Sequence, residues 1–195
     1  MLSPVTIKSV EPCPSPRFSK ASLITAERNG KEFTWEMIRK PDTVHVLVLN
    51  TTTDKLLYVK QVRVPVLAND PDSKGEVIEC CAGLMDKKDK SIRQTVLEEI
   101  EEELGYNAKD YNLWFIKTIK SGVGSSGSDA HLWFATVTDE EKISEGGGVD
   151  VEDIEIVEVD PKLALDFILV VTTDAVTIAL THLALRAVQF AKTRS

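Results

Sequence analysis

Five glutamates crowd into six residues near the middle of the chain, Glu98, Glu99, Glu101, Glu102 and Glu103, and Gly105 closes the run. Carboxylates at that density can hold a hard cation, move a proton or simply face water. Helical geometry sorts them. At roughly 100° per residue, Glu99 and Glu103 share a side with Ile92 and Val96, while Glu98 and Glu101 point away. Carboxylates aimed into protein are costly unless a counter-charge meets them. A divalent cation is the simplest counter-charge. Charge runs are more often solvated faces. Here the inward pair sits on the apolar stripe, and a strand-like run with a glycine turn leads into the helix. Both features favour a metal-binding helix.

The flanking elements follow from hydrophobic period and turn residues. Residues 1–18 are Pro-rich and read as irregular. Ser22–Glu27 and Glu32–Arg39 alternate like strands around Asn29-Gly30, a strong hairpin signal. This small unit has too few apolar residues to stand alone. Residues 1–42 are therefore expected to be an N-terminal β extension that packs on the main domain, 43–195, or on a second copy. Thr43–Asn50 and Lys55–Val62 read as core strands, Pro65–Gly75 as a polar loop, and Glu76–Cys80 as a strand entering an Ala82-Gly83 turn. Ser91 is the candidate N-cap of a helix ending at Leu104. Leu113–Ile119 and His131–Val137 flank a Gly/Ser loop, and Gly146-Gly147-Gly148 reads as a flexible loop. Ile154–Val159 predicts a strand and Pro161–Ile168 a short helix. Asp174–Lys192 predicts a long amphipathic helix capped by Thr172 or Thr173. The mixture predicts a mixed sheet covered by helices, an α/β or α+β domain.

Composition bounds the function. The 195 residues suit one domain with an appendage, and the net charge of −8 argues against a nucleic-acid-binding surface. An acidic protein can still take an anionic small molecule when metal ions supply the positive charge. Cys13, Cys80 and Cys81 form no disulfide framework, so a reducing, cytoplasmic setting is expected. His45, His131 and His182 lack zinc spacing and read as ordinary histidines. The N-terminus has no secretory core. The apolar C-terminal stretch carries His182, Arg186 and Gln189, so a membrane span is not expected.

These residues resemble the Nudix hydrolases, whose pattern is G-x5-E-x7-R-E-U-x-E-E-x-G-U with U bulky and apolar. The tail here reads Glu99-Ile100-Glu101-Glu102-Glu103-Leu104-Gly105-Tyr106. Upstream, Glu79-Cys80-Cys81-Ala82-Gly83 is similar to the turn of the ADP-ribose pyrophosphatase branch, and closer to its UDP-glucose pyrophosphatase subgroup. Ser121-Gly122-Val123-Gly124, Gly127-Ser128, the glycine triplet and Glu152-Asp153-Ile154-Glu155 extend the likeness over roughly residues 33–160. Two positions depart. Lys90 stands near the place of the first glutamate, and Glu98 stands where the family carries Arg. Glu98 is therefore expected to repel Glu101 and Glu102 and to leave Glu102 without its cation.

The resemblance implies a Nudix α/β/α sandwich and Mg²⁺-dependent (or Mn²⁺-dependent) cleavage of a nucleoside diphosphate sugar. The leading expectation is UDP-glucose to UMP and glucose 1-phosphate. Alternatives are an ADP-ribose diphosphatase and a catalytically weak nucleotide-binding module. It implies metal contacts from Glu99, Glu103 and the Ala82 carbonyl, with Glu102 contributing from the side. Glu152 matches the water-activating base, brought in by a mobile loop. Arg63, in a Q-x-R-x-P-like element, matches a phosphate contact. Trp35, Glu36 and Arg39 match a base-pocket element that often reaches into a partner subunit, which implies a homodimer. Glu79, Gly124 and Ser128 join the substrate-binding set. Ordinary alternatives stay open: a surface ion pair for Arg63, a core or dimer residue for Trp35, a solvated loop acid for Glu152.

Overall fold

The Asn29-Gly30 pair turns the chain between β1 (Lys20–Arg28) and β2 (Lys31–Arg39) in a computed structural model that describes residues 1–87, 89–171 and 174–192. Asn29 has φ 54° and Gly30 φ 75°, the pair of positive angles that a two-residue hairpin turn matched to strand twist requires. The hairpin is a separate two-stranded sheet. Leu23, Phe33, Trp35 and Ile38 on it are exposed. It is tied to the main body by the Ile38 N–H, which donates to the Ser125 carbonyl at 2.8 Å, and by Trp35 Nε1, which donates to the Gly124 carbonyl at 2.9 Å.

The main sheet is built around a fork. β3 (Thr43–Asn50) and β4 (Lys55–Val62) pair antiparallel from Asn50↔Lys55 to Val48↔Leu57 and then part. The stretch expected to be a polar loop instead forms α1 (Val64–Asn69) and a 3₁₀ turn at Pro71–Ser73. Pro65 in the first turn of α1 loses no helical hydrogen bond there. β5 (Glu76–Glu79) then runs beside β4, and β6 (Cys81–Leu84) runs beside β3. The two fill the fork. Ala82-Gly83, expected to be a turn, is therefore strand, and the bend lies at Cys80. The Cys80 N–H leaves the ladder and donates to Thr177 Oγ1 at 2.9 Å, which keeps a buried donor satisfied.

The acidic helix begins as α2 (Ile92–Glu99) with Ser91 as N-cap. Ser91 Oγ accepts from the Gln94 N–H at 3.3 Å, and Gln94 Oε1 accepts from the Ser91 N–H at 2.9 Å, a capping box. The helix then widens into a π turn, Ile100–Leu104, and stops at Gly105 with φ 77°. β7 (Leu113–Ser121) and β8 (Ser128–Val137) are longer than expected because they pair up to the loop ends, Ser121↔Ser128. β8 lies parallel to β3, and β9 (Glu155–Val159) lies antiparallel to β4. α3 spans Ala164–Val171, later than the expected helix, after a turn in which the Leu163 N–H donates to the Asp160 carbonyl at 2.9 Å. α4 spans Ala175–Lys192. Its expected caps, Thr172 and Thr173, lie outside the described residues. The Asp174 carboxylate accepts from the Thr177 N–H at 2.8 Å.

Strand alternation divides the core into two layers. Val44, Val46, Val48 and Val59 pack with Val96, Ile100 and Leu104 on one face. Leu47, Tyr58 and Leu132 pack with Ile168, Leu180 and Ala184 on the other. The result is an α/β/α sandwich. Each fully buried side chain of this kind contributes about 1.5–3 kcal/mol, a contribution that the exposed hairpin lacks. Among the described residues no helix is long and apolar enough to cross a membrane.

Candidate active site

The fork, the acidic helix and the glycine loop meet at one cleft of about 350 Å³. β3 contributes Thr43 and His45, the end of β4 contributes Arg63, β6 contributes Ala82 and Gly83, the helix contributes Glu99 and Glu102, and the loop contributes Glu152. Glu103 sits just inside, 3% exposed, and its Oε2 accepts from the Ala82 N–H at 3.1 Å. Burial raises its pKa to about 8. Burial, followed by the charge of Glu102, raises Glu99 to about 7. Glu101 faces solvent. The inward pair deduced from helical period is thus the pair that pays desolvation. A Cβ on Gly83 would overlap the Glu99 carboxylate, so only glycine lets that side chain lie against β6.

The glycine triplet, expected to be a flexible loop, is docked on the helix end in this structure. Gly147 N–H donates to the Glu103 carbonyl at 3.0 Å, and Gly148 N–H to the Glu102 carbonyl at 2.9 Å. The π turn leaves carbonyls at the helix end that need partners, and the loop supplies them. Gly146, Gly147 and Gly148 have φ of 68°, 104° and 84°, angles that side-chain-bearing residues rarely adopt. A short turn follows in which Glu152 Oε2 accepts from the Val149 N–H at 3.0 Å. Glu152 is thereby already at the cleft.

Arg63 Nε donates to Glu79 Oε1 at 2.6 Å. Burial works against the Arg63 charge, but Glu79, Glu103 and Glu152 outweigh it and raise its pKa. Glu79, 7% exposed, has a raised pKa because its burial outweighs Arg63. Its carboxylate orients the guanidinium.

The structure separates the remaining expected residues from this cleft. Trp35, Glu36 and Gly124 line a second cavity of about 890 Å³ between the hairpin and the Gly/Ser loop. Arg39 lies on the same hairpin, at its exposed end opposite Lys20. Ser128 is buried, with its hydroxyl 3.1 Å from Ser126 Oγ.

Sequence reasoning passed over several residues that line the cleft, His45 and Lys87 among them. His45 was read as an ordinary histidine. It stands opposite Ala82 in the ladder, its Nε2 is 3.1 Å from Thr43 Oγ1, and burial lowers its pKa to about 4, so it is neutral. Lys87 was missed because the segment before the helix has no periodic pattern. It also overturns the expectation for Glu98. Lys90 Nζ donates to Glu98 Oε1, and Lys87 Nζ lies 3.4 Å from Glu98 Oε2 and 3.9 Å from Glu102 Oε1. Glu98 has cationic partners and Glu102 keeps a cation, both supplied by lysines of the preceding segment.

Among the described residues, no three His, Cys, Asp or Glu side chains close into a ready-made metal cage. A Mg²⁺-like ion needs no such cage, since it retains waters and takes one or two carboxylates plus substrate oxygens. Glu99 and Glu103 are carboxylates whose burial cost a cation would relieve, a donor chemistry that suits such an ion.

The comparisons with known proteins converge on the same region. The family profile described as the NUDIX domain matches residues 39–168. The chain is 31% identical to the uridine diphosphate glucose pyrophosphatase of Bos taurus over 156 residues, 68% of this chain and 70% of that protein. It is 32% identical over 125 residues to the GDP-mannose pyrophosphatase of Escherichia coli (strain K12), 63% of this chain and 62% of that one. Against the GDP-mannose pyrophosphatase of Salmonella arizonae it is 32% identical over 143 residues, 71% of each. The matched span contains the whole carboxylate cleft, from Thr43 to Glu152, and with that sandwich around it the chain belongs to the Nudix hydrolase family.

Proposed function

We propose that the protein hydrolyses the pyrophosphate bond of a nucleoside diphosphate sugar, foremost UDP-glucose, to UMP and glucose 1-phosphate. The observation that carries this reading is the convergence of Glu99, Glu102, Glu152 and Arg63 on one cleft, together with relatives named for pyrophosphatase activity on sugar nucleotides. Glu99, Glu103 and the Ala82 carbonyl would hold Mg²⁺, or Mn²⁺ in its place. Such an ion shields the diphosphate oxygens and lowers the pKa of a bound water. Glu102 supports that carboxylate pair from the side. Arg63, fixed by Glu79, grips a phosphate oxygen and orients the diphosphate. Glu152 accepts the proton of the attacking water. The water oxygen ends on one phosphate, and the bridging oxygen leaves with the other.

Trp35 presents an exposed ring suited to stacking on a nucleobase, with Glu36 and Arg39 beside it. Its distance from the carboxylate cleft is bridged in our reading by a homodimer, in which the hairpin of one copy serves the cleft of the other. Three free cysteines fit a reducing compartment, and the cytoplasm is the location we propose. The test is product analysis after incubation with Mg²⁺ and UDP-glucose, GDP-mannose or ADP-ribose. UMP and glucose 1-phosphate as main products support the proposal. AMP and ribose 5-phosphate as main products move the assignment to ADP-ribose. Binding without turnover of any of them leaves a nucleotide-binding module.

A further inference from the structure

Glu98 and Glu102 stand one helical turn apart, where like charges repel. Glu102 lines the cleft with Glu99 and Glu152, so negative charge accumulates there. Lys87 reaches this cluster from the segment between β6 and α2. That segment is fixed at its start by the Met85 N–H, which donates to the Asp42 carbonyl at 2.9 Å, and further on by the Lys90 N–H, which donates to the Lys87 carbonyl at 3.3 Å. Lys87 Nζ lies between the two carboxylates, 3.4 Å from Glu98 and 3.9 Å from Glu102. Lys90 pairs with Glu98 as well. Of the two lysines, only Lys87 lines the cleft.

We infer that Lys87 is a positioning residue that serves as a built-in counter-ion, holding Glu102 at the cleft before a metal ion arrives, with Glu98 as the anchor that aims it. Glu98 does not line the cleft. Its pull draws the ammonium towards the helix side, away from the place where a diphosphate would lie. Lys87 therefore acts through Glu102 rather than on the substrate. An entering divalent cation takes over the neutralising task, so the Lys87 contribution is largest in the metal-free protein. The kinetic part of this inference rests on the hydrolytic reading above; the rest does not.

The test uses the full chain with Lys87→Met, Lys87→Arg, Glu98→Gln and the double variant Lys87→Met/Glu98→Gln. Melting is followed without divalent cation and through a Mg²⁺ titration, and steady-state kinetics are measured on UDP-glucose. Lys87→Met is expected to lower the metal-free Tm by about 2–4 °C, the scale of one partly exposed ion pair in a chain of this size. Mg²⁺ is expected to close that gap, and Lys87→Arg to melt like the parent. The double variant should lose less than the sum of Lys87→Met and Glu98→Gln, because Lys87 and Glu98 act as a unit while the Lys90 pair of Glu98 is lost in either Glu98 variant. Turnover by Lys87→Met should fall several-fold in kcat at limiting Mg²⁺ with KM unchanged. An unchanged metal-free Tm, or a deficit that persists at saturating Mg²⁺, overturns the inference. A raised KM with intact kcat also overturns it, since that marks a direct phosphate contact. If no sugar nucleotide is turned over, the proposed substrate fails, while the two melting series still decide the role of Lys87.

Discussion

Glu103 is the side chain on which the proposed site turns, because it combines near-complete burial with a carboxylate that the proposed metal role requires to be charged. Glu103→Gln keeps the shape and can still accept from the Ala82 N–H. We expect it to fold, to melt no lower than the parent without metal, and to lose nearly all turnover; parent-like activity would remove Glu103 from the metal site. Glu152→Gln should cost about 10²–10⁴-fold in kcat, the usual scale for a general base, and a loss under tenfold would return Glu152 to the solvated loop acids. The raised pKa values of Glu99 and Glu103, about 7 and about 8, also fix a pH dependence. Between the unfolded value near 4.5 and these folded values, the native state binds more protons than the unfolded one. Metal-free stability therefore falls as pH rises through that window. His45 has the opposite sign: its folded pKa of about 4 makes stability fall as pH drops below about 6.5. Melting from pH 6.5 to 8.5 isolates the carboxylates. Tm should decline over that range without metal, and the Mg²⁺-induced rise should be larger at pH 8.5. A flat metal-free profile would contradict the burial of this pair.

At the scale of elements, the acidic helix shows what a sequence displays and what it conceals. Ser91 as cap, Gly105 as stop and the inward pair were all legible, since capping and period depend on local residues. The π turn was not, because nothing in the local residue pattern separates it from a continued α-helix. The fork was likewise hidden. Nothing local distinguishes a turn at Ala82-Gly83 from a bend at Cys80, whose freed N–H is met by Thr177, 97 residues away. The Glu98 environment failed to show for the same reason, since it depends on a non-periodic segment folding back on the helix. Glu98→Arg would place a third cation beside Lys87 and Lys90 in exchange for two ion pairs. A metal-free Tm lower by about 2–4 °C is expected; a higher one would mean that the lysines yield to the arginine.

The whole molecule leaves one part without a core. Leu23 is 67% exposed and Trp35 59%, on a hairpin too small to be stable without packing. A mixed sheet covered by helices and the placing of β1 and β2 were readable from alternation and turn residues, and the Nudix sandwich from the resemblance. What covers the hairpin depends on a surface outside its own sequence. A homodimer that buries these side chains is expected, and light scattering should give twice the chain mass; a monomer at high micromolar concentration would leave Trp35 without the task proposed for it. The glycine loop has a consequence at this scale too. Because the amides of Gly147 and Gly148 are bonded to the carbonyls of Glu103 and Glu102, the strand of chain bearing Glu152 and the helix bearing the carboxylates are expected to open as one cooperative unit. In deuterated solvent those two glycine amides should exchange at a rate shared with the Gly105 amide, which is held by the Glu101 carbonyl. All three should slow together when Mg²⁺ is added, although none of them is among the proposed metal ligands.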